Sequence, residues 1–179
     1  MGTDQDMVPT VVGLPRVSDD ELETLSRLNP GWAFERDDEG RTVVSPTSSR
    51  GGAQSAAALK QLILWQDQTL AGGVIFDSST GFKMSTGAVR SPDASWLSQA
   101  RRAALGERAG ETFWPLCPDV TIEVRSASDE WERVVEKART YVREGASYAV
   151  AIDPIGKRHV AFGAPPEGLV LDIDAIVNA

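Results

Sequence analysis

VRSPDASWLS at residues 89–98 and PDVTIEVRS at residues 118–126 are the two stretches on which the fold turns. Each is an apolar run bounded by turn residues and reads as a strand in a sheet covered on both faces. The first is expected to carry Asp93 in its middle, the second Glu123 near its end. A carboxylate in such a strand is costly unless a cation compensates it, so these two acids need a reason to be there. The helix expected next contains Lys137. A carboxylate from each of two adjacent strands, with a lysine close by, can hold a divalent cation through hard oxygen ligands and activate a water on it.

Asp129 is the expected cap of that helix, whose apolar stripe runs through Trp131, Val134, Ala138 and Tyr141 to a stop at Gly145. At about 100° per residue Lys137 falls roughly 40° outside Tyr141, on the flank of the stripe, from which a lysine can lay its stem on the sheet and reach the strand ends. Arg125, two residues after Glu123, is expected on the same face of its strand, suited to clamping a phosphate but not to moving a proton.

Before these strands, residues 1–16 read as a loosely held arm and Ser18 as the cap of an acidic-first-turn helix with Leu22, Leu25 and Leu28 as its stripe. WAFERD and RTVVSPT, joined through Asp38-Glu39-Gly40, predict a β-hairpin with Glu35 on its first strand. Helical spacing from Gly51 to Leu70 ends at Gly72-Gly73, and GVIFDSSTGFKM reads as a strand with a glycine break. Asp77 is expected to form a turn, Ser98 to Arg108 a short helix. After the Lys137 helix come a buried strand, SYAVAIDP, an edge strand, RHVAFG, and a last short element. This order predicts one α/β domain over residues 17–179, a mixed sheet flanked by helices.

The chain has 179 residues, a formal net charge of -8 and one cysteine. That length can bury a full core. The lone Cys117 excludes a disulfide framework and is expected to be a buried, inert thiol, and the expected setting is a reducing cytoplasm with no membrane span. The acidic balance works against a broad, non-specific grip on nucleic acid, so any such contact is expected to be local or metal-assisted.

From about Asn29 to Pro154 the sequence resembles the Uma-two family of restriction-endonuclease-like proteins, a branch of the PD-(D/E)XK superfamily. The matching segments include NPGWAFE, VVSPT, GGVIFDSSTGF, VRSPDASW, LCPDVTIEVRSASD and KARTYVREG ahead of AIDP. The resemblance implies a restriction-endonuclease-like core, a DNA endonuclease activity that depends on Mg²⁺ or Mn²⁺, and Asp93 and Glu123 as metal ligands. The superfamily's lysine position falls on Arg125, whereas the Uma-two pattern moves it to the following helix, at Lys137. Glu35 matches an acidic residue of the family's first strand. Gln54 stands where many members carry a histidine, and the only histidine, His159, lies in a late strand.

On the residues alone two readings stay open. Asp93 beside Pro92 could cap a turn while Glu123 and Lys137 form a structural ion pair, which would make the chain a catalytically silent binding or assembly module. Lys83 and Arg90 flank the expected cleft and are candidate phosphate contacts, with DNA the expected partner and a homodimer a candidate assembly.

Overall fold

The computed structural model describes residues 16–46, 51–106 and 112–179, so the expected arm lies, but for Arg16, outside the described residues. The chain is an α/β fold built on two sheets rather than one. Helix α1 (Asp19–Leu28) starts at a capping box in which Ser18 accepts from the Glu21 backbone N–H and Glu21 accepts from that of Ser18. Of its leucine stripe only Leu22 is buried, while Leu28 is exposed. Strands β1 (Trp32–Arg36) and β2 (Thr42–Pro46) form the expected hairpin, turning at Gly40 with φ 80°. The buried Arg36 guanidinium ties this hairpin to α1 through Asp19 at 2.8 Å and the Val17 carbonyl at 2.9 Å.

Helix α2 (Gly51–Thr69) ends one residue before the expected Leu70, because Leu70 itself takes up the left-handed backbone conformation ahead of Gly72-Gly73. Then come β3 (Gly73–Asp77), β4 (Phe82–Lys83), β5 (Val89–Arg90) and β6 (Ala94–Ser98). The single strand expected over 89–98 is therefore two strands, and they belong to different sheets. Pro92 has no N–H to give a ladder, and the Ser91 N–H is spent on the Glu35 carboxylate, so pairing stops and the chain crosses from one sheet to the other. Asp93 lies on this crossover, immediately before β6, not in mid-strand. The strand with a glycine break is divided in the same way between β3 and β4, and Asp77, the last residue of β3, accepts from the Ser79 backbone as a turn-former should.

The remaining elements are α3 (Gln99–Leu105), β7 (Val120–Val124), α4 (Trp131–Arg143), β8 (Tyr148–Asp153), β9 (Arg158–Gly163) and α5 (Ile173–Val177). The first sheet is four-stranded, ordered β2-β1-β5-β4; the second is five-stranded, ordered β3-β6-β7-β8-β9. Among the described strands β7 and β8 are the pair that runs parallel, with α4 as their crossover. Alternation along β7 sends Val120, Ile122 and Val124 into the core shared with α2 and α5. Thr121 and Glu123 are thereby turned to the opposite face, where α4 packs with Ala138 and Tyr141 on Ala149 and Ala151. Among the described residues no helix is long and apolar enough to cross a membrane.

Candidate active site

Glu123 is the only charged residue of β7, whose five residues are all buried. It tolerates burial because α4 brings two donors to it from consecutive turns. Tyr141 donates its hydroxyl to Glu123 Oε1 at 2.7 Å, and the Lys137 ammonium stands 3.0 Å from the same oxygen. Lys137 also donates to Glu35 Oε1 at 2.9 Å, so one ammonium joins β1 to β7. The flanking position that helix geometry assigns to Lys137 is thus used to reach both strands.

Asp93 is fixed from two sides. Its Oδ2 accepts the Val124 N–H at 2.7 Å, and its Oδ1 accepts the Ser55 hydroxyl, from α2, at 3.0 Å. Glu35 accepts the Ser91 N–H at 2.6 Å as well as Lys137. Arg90 lies beside this group, held 3.3 Å from Asp38, and all of them line an open cleft of about 1440 Å³ between the hairpin, α2 and α4.

The electrostatics divide the three acids. Burial raises the Glu123 carboxyl to about 8, with Asp93 and Glu35 adding to the rise against the pull of Lys137 and Tyr141. Burial and Glu35 raise Asp93 too, although the Val124 N–H, Lys137 and Ser55 oppose them. At Glu35 burial acts in the same upward direction, but Lys137, Arg90 and the Ser91 N–H outweigh it and hold that carboxyl below its ordinary value. Burial would lower the Lys137 ammonium, yet Glu123 and Glu35 keep it firmly protonated. Three carboxyls face two cations, Lys137 and Arg90, so one acid is left without a counter-charge, and the deficit falls on Glu123.

Glu35, Asp93, Glu123, Lys137 and Arg90 therefore meet. Arg125 and Lys83 do not join them. The Arg125 guanidinium sits 3.2 Å from the wholly buried Asp153 and donates to the Asp129 carbonyl, and Lys83 pairs with Asp19. Asp129 does not cap α4 either; the cap is Glu130, and the Asp129 carboxylate binds the Ser126 N–H at 2.9 Å. Gln54 donates to the Ala179 carbonyl, and it is its neighbour Ser55 that touches Asp93. Ser55 and Tyr141 are the site residues that sequence reasoning missed. Tyr141 had a signal: it lies one helical turn after Lys137 and is a polar tip on an apolar stripe.

The family model described as "Uma2: Putative restriction endonuclease" matches residues 19–174. The chain belongs to this family. Among solved structures, a putative nuclease belonging to DUF820 from Anabaena variabilis superposes on this Uma2 chain with a TM-score of 0.67 at 18% identity, covering 90% of this chain and 98% of the other. At that identity the likeness establishes the shared fold. No curated protein matches the chain.

The donor set of the Uma2 chain suits a hard divalent cation. Among the described residues no three His, Cys, Asp or Glu side chains are grouped closely enough to hold a metal by themselves. Mg²⁺ and Mn²⁺ do not ask for that, since Mg²⁺ in particular is usually held by one or two carboxylates with waters and substrate phosphate completing the shell. Among the described residues Glu123 is bonded by side chains alone, Tyr141 and Lys137, and its raised carboxyl means that these two do not fully offset burial of the ionised form.

Proposed function

We propose that this protein is a metal-dependent nuclease hydrolysing phosphodiester bonds in DNA, in a cytoplasmic setting. The observation that carries the reading is that Glu35 and Glu123 converge on Lys137, with Asp93 close enough to feel its charge, and that all four line one open cleft. Asp93 and Glu123, with the backbone carbonyl of Val124, would hold Mg²⁺ or Mn²⁺. The metal would polarise the scissile phosphate and make its water a nucleophile near neutral pH.

The chain's own residues have separate tasks in this proposal. Val124 N–H and Ser55 set the Asp93 carboxylate, and Tyr141 sets that of Glu123. Lys137 supplies positive charge where the phosphate gains negative charge, and Glu35 aims the lysine. Arg90, which lines the cleft beside Glu35, would be the arginine that meets a substrate phosphate. Arg125 and Lys83, engaged by Asp153 and Asp19, are not part of the proposed set.

A rival reading keeps the fold and loses the chemistry, and the observation in its favour is that Lys137 already pairs with two of the three acids. Plasmid cleavage with Mg²⁺ or Mn²⁺, combined with Mn²⁺ calorimetry, separates the two. Lys137→Ala should lower cleavage by about a hundredfold or more while Mn²⁺ binding stays near wild type or tightens, because a nearby cation has gone. A wild type that neither binds Mn²⁺ nor cleaves would make the silent module the better account.

A further inference from the structure

The cleft that holds the carboxylates is poorly made for gripping a long polyanion. Among the described residues it is lined by ten acidic side chains and five basic ones. Each of the five is already paired. Arg41 is bound to Asp37 and Glu39, Arg90 to Asp38, and Arg133 to Glu130. Lys137 is held by Glu35 and Glu123, and Arg143 by Glu136. Affinity for duplex DNA comes mainly from Lys and Arg side chains that replace condensed counterions along many phosphates. Here an approaching backbone would have to break an ion pair for every cation it recruited, and would meet two acids for each.

Resting on the nuclease reading, we infer that the cleft selects substrates by a single scissile phosphodiester and its immediate neighbours. Its substrate class is a short or unpaired strand of few phosphates rather than duplex DNA gripped along its length. The acids of the rim are the specificity device. Glu136 on α4 is the clearest, since its half-exposed carboxylate holds both Arg139 at 2.6 Å and Arg143 at 2.8 Å. Among the described residues its carboxylate is bonded to these two arginines and not to Lys137 or the site's acids. Removing its charge frees Arg143, which lines the cleft, together with Arg139, which lies over the Phe162 ring.

The test compares kcat/KM, in Mn²⁺, on a thymidine dinucleotide, an oligothymidylate and a duplex, across a NaCl series. The wild type is expected to cleave the dinucleotide within about tenfold of the longer strand and to disfavour the duplex. Its log–log salt slope should be shallower than about -2, the mark of one or two phosphate contacts. Glu136→Gln should then raise duplex cleavage several-fold and steepen the slope by about one, with the dinucleotide rate unchanged. Glu136→Lys, a second variant, should push both effects further. A steep wild-type slope with preferred duplex cleavage overturns this inference and leaves the nuclease standing. So does an unchanged duplex rate and slope in both variants. Loss of all cleavage together with loss of Mn²⁺ binding in the wild type removes the nuclease reading, and this inference with it.

Discussion

Glu123 carries the largest electrostatic strain of the cluster, and its consequence depends on pH. Its carboxyl rises from 4.5 to about 8 on folding, chiefly through burial. Between those values the native chain holds a proton that the unfolded chain has released. The resulting stability is complete below the lower value and is lost as pH rises through the upper. Glu35 works the other way, contributing above its ordinary range and failing as pH falls. In EDTA, Glu123→Gln should therefore differ little from wild type at pH about 5.5 and exceed it at pH about 9 by on the order of a few kcal/mol. Urea titrations at the two pH values measure this, and a gap that does not widen with pH would show that Glu123 is not the titrating group. Asp93→Asn is expected to be tolerated, because an amide can accept from Val124 and donate to Ser55. Asp93→Ala orphans the Val124 N–H and should cost about 1–3 kcal/mol. That Asp93 and Glu123 would need compensating partners was legible in the sequence from acids next to apolar runs. The fate of Arg125 was not. The period-two rule places it beside Glu123 only while the strand lasts, and β7 ends at Val124, after which Asp153 claims the guanidinium. Arg125→Ala should accordingly lower stability by about 1–3 kcal/mol, with KM for any substrate little changed, since Asp153 at the end of β8 would keep only Arg158 as a charged partner.

At the scale of elements, the apolar stripe of α4 was readable because it obeys one period throughout, though its cap was not, and the same regularity carries Lys137 and Tyr141 to one carboxylate. The division of 89–98 between two sheets could not be read from residue types. Both halves have strand character, and what separates them is a tertiary bond, the Ser91 N–H taken by a glutamate 56 residues earlier. That crossover is useful: it delivers Asp93 to the end of the five-stranded sheet while leaving Arg90 on the other sheet across the cleft. Tyr141→Phe tests the coupling of α4 to β7. Without the hydroxyl, ionised Glu123 loses a charge-assisted bond, so the variant should be less stable by about 1–3 kcal/mol, and the penalty should grow as pH passes about 8. A penalty independent of pH would mean that the hydroxyl serves packing rather than the carboxylate.

For the whole molecule, a net charge of -8 and a buried group of three acids on one lysine make the metal-free fold self-repelling. A cation that binds the native state and not the unfolded chain stabilises it by mass action, by about 2.7 kcal/mol at a hundred times its Kd. For a chain of this size that corresponds to a rise in Tm of about 5–10 °C. Mn²⁺ should give a shift of this order in the wild type, larger at pH about 8.5 than at pH about 6, because binding must displace the proton that Glu123 otherwise keeps. Screening by salt raises stability as well, but it needs no particular residue and works equally on every variant. The comparison is therefore wild type against Asp93→Asn, in Mn²⁺ and in NaCl of matched ionic strength, followed by thermal unfolding. A shift specific to Mn²⁺ that grows with pH and disappears in Asp93→Asn assigns the effect to the carboxylates. Equal shifts in the two proteins, or equal shifts with the two salts, would reduce it to screening of an acidic surface and leave Asp93 and Glu123 without a metal.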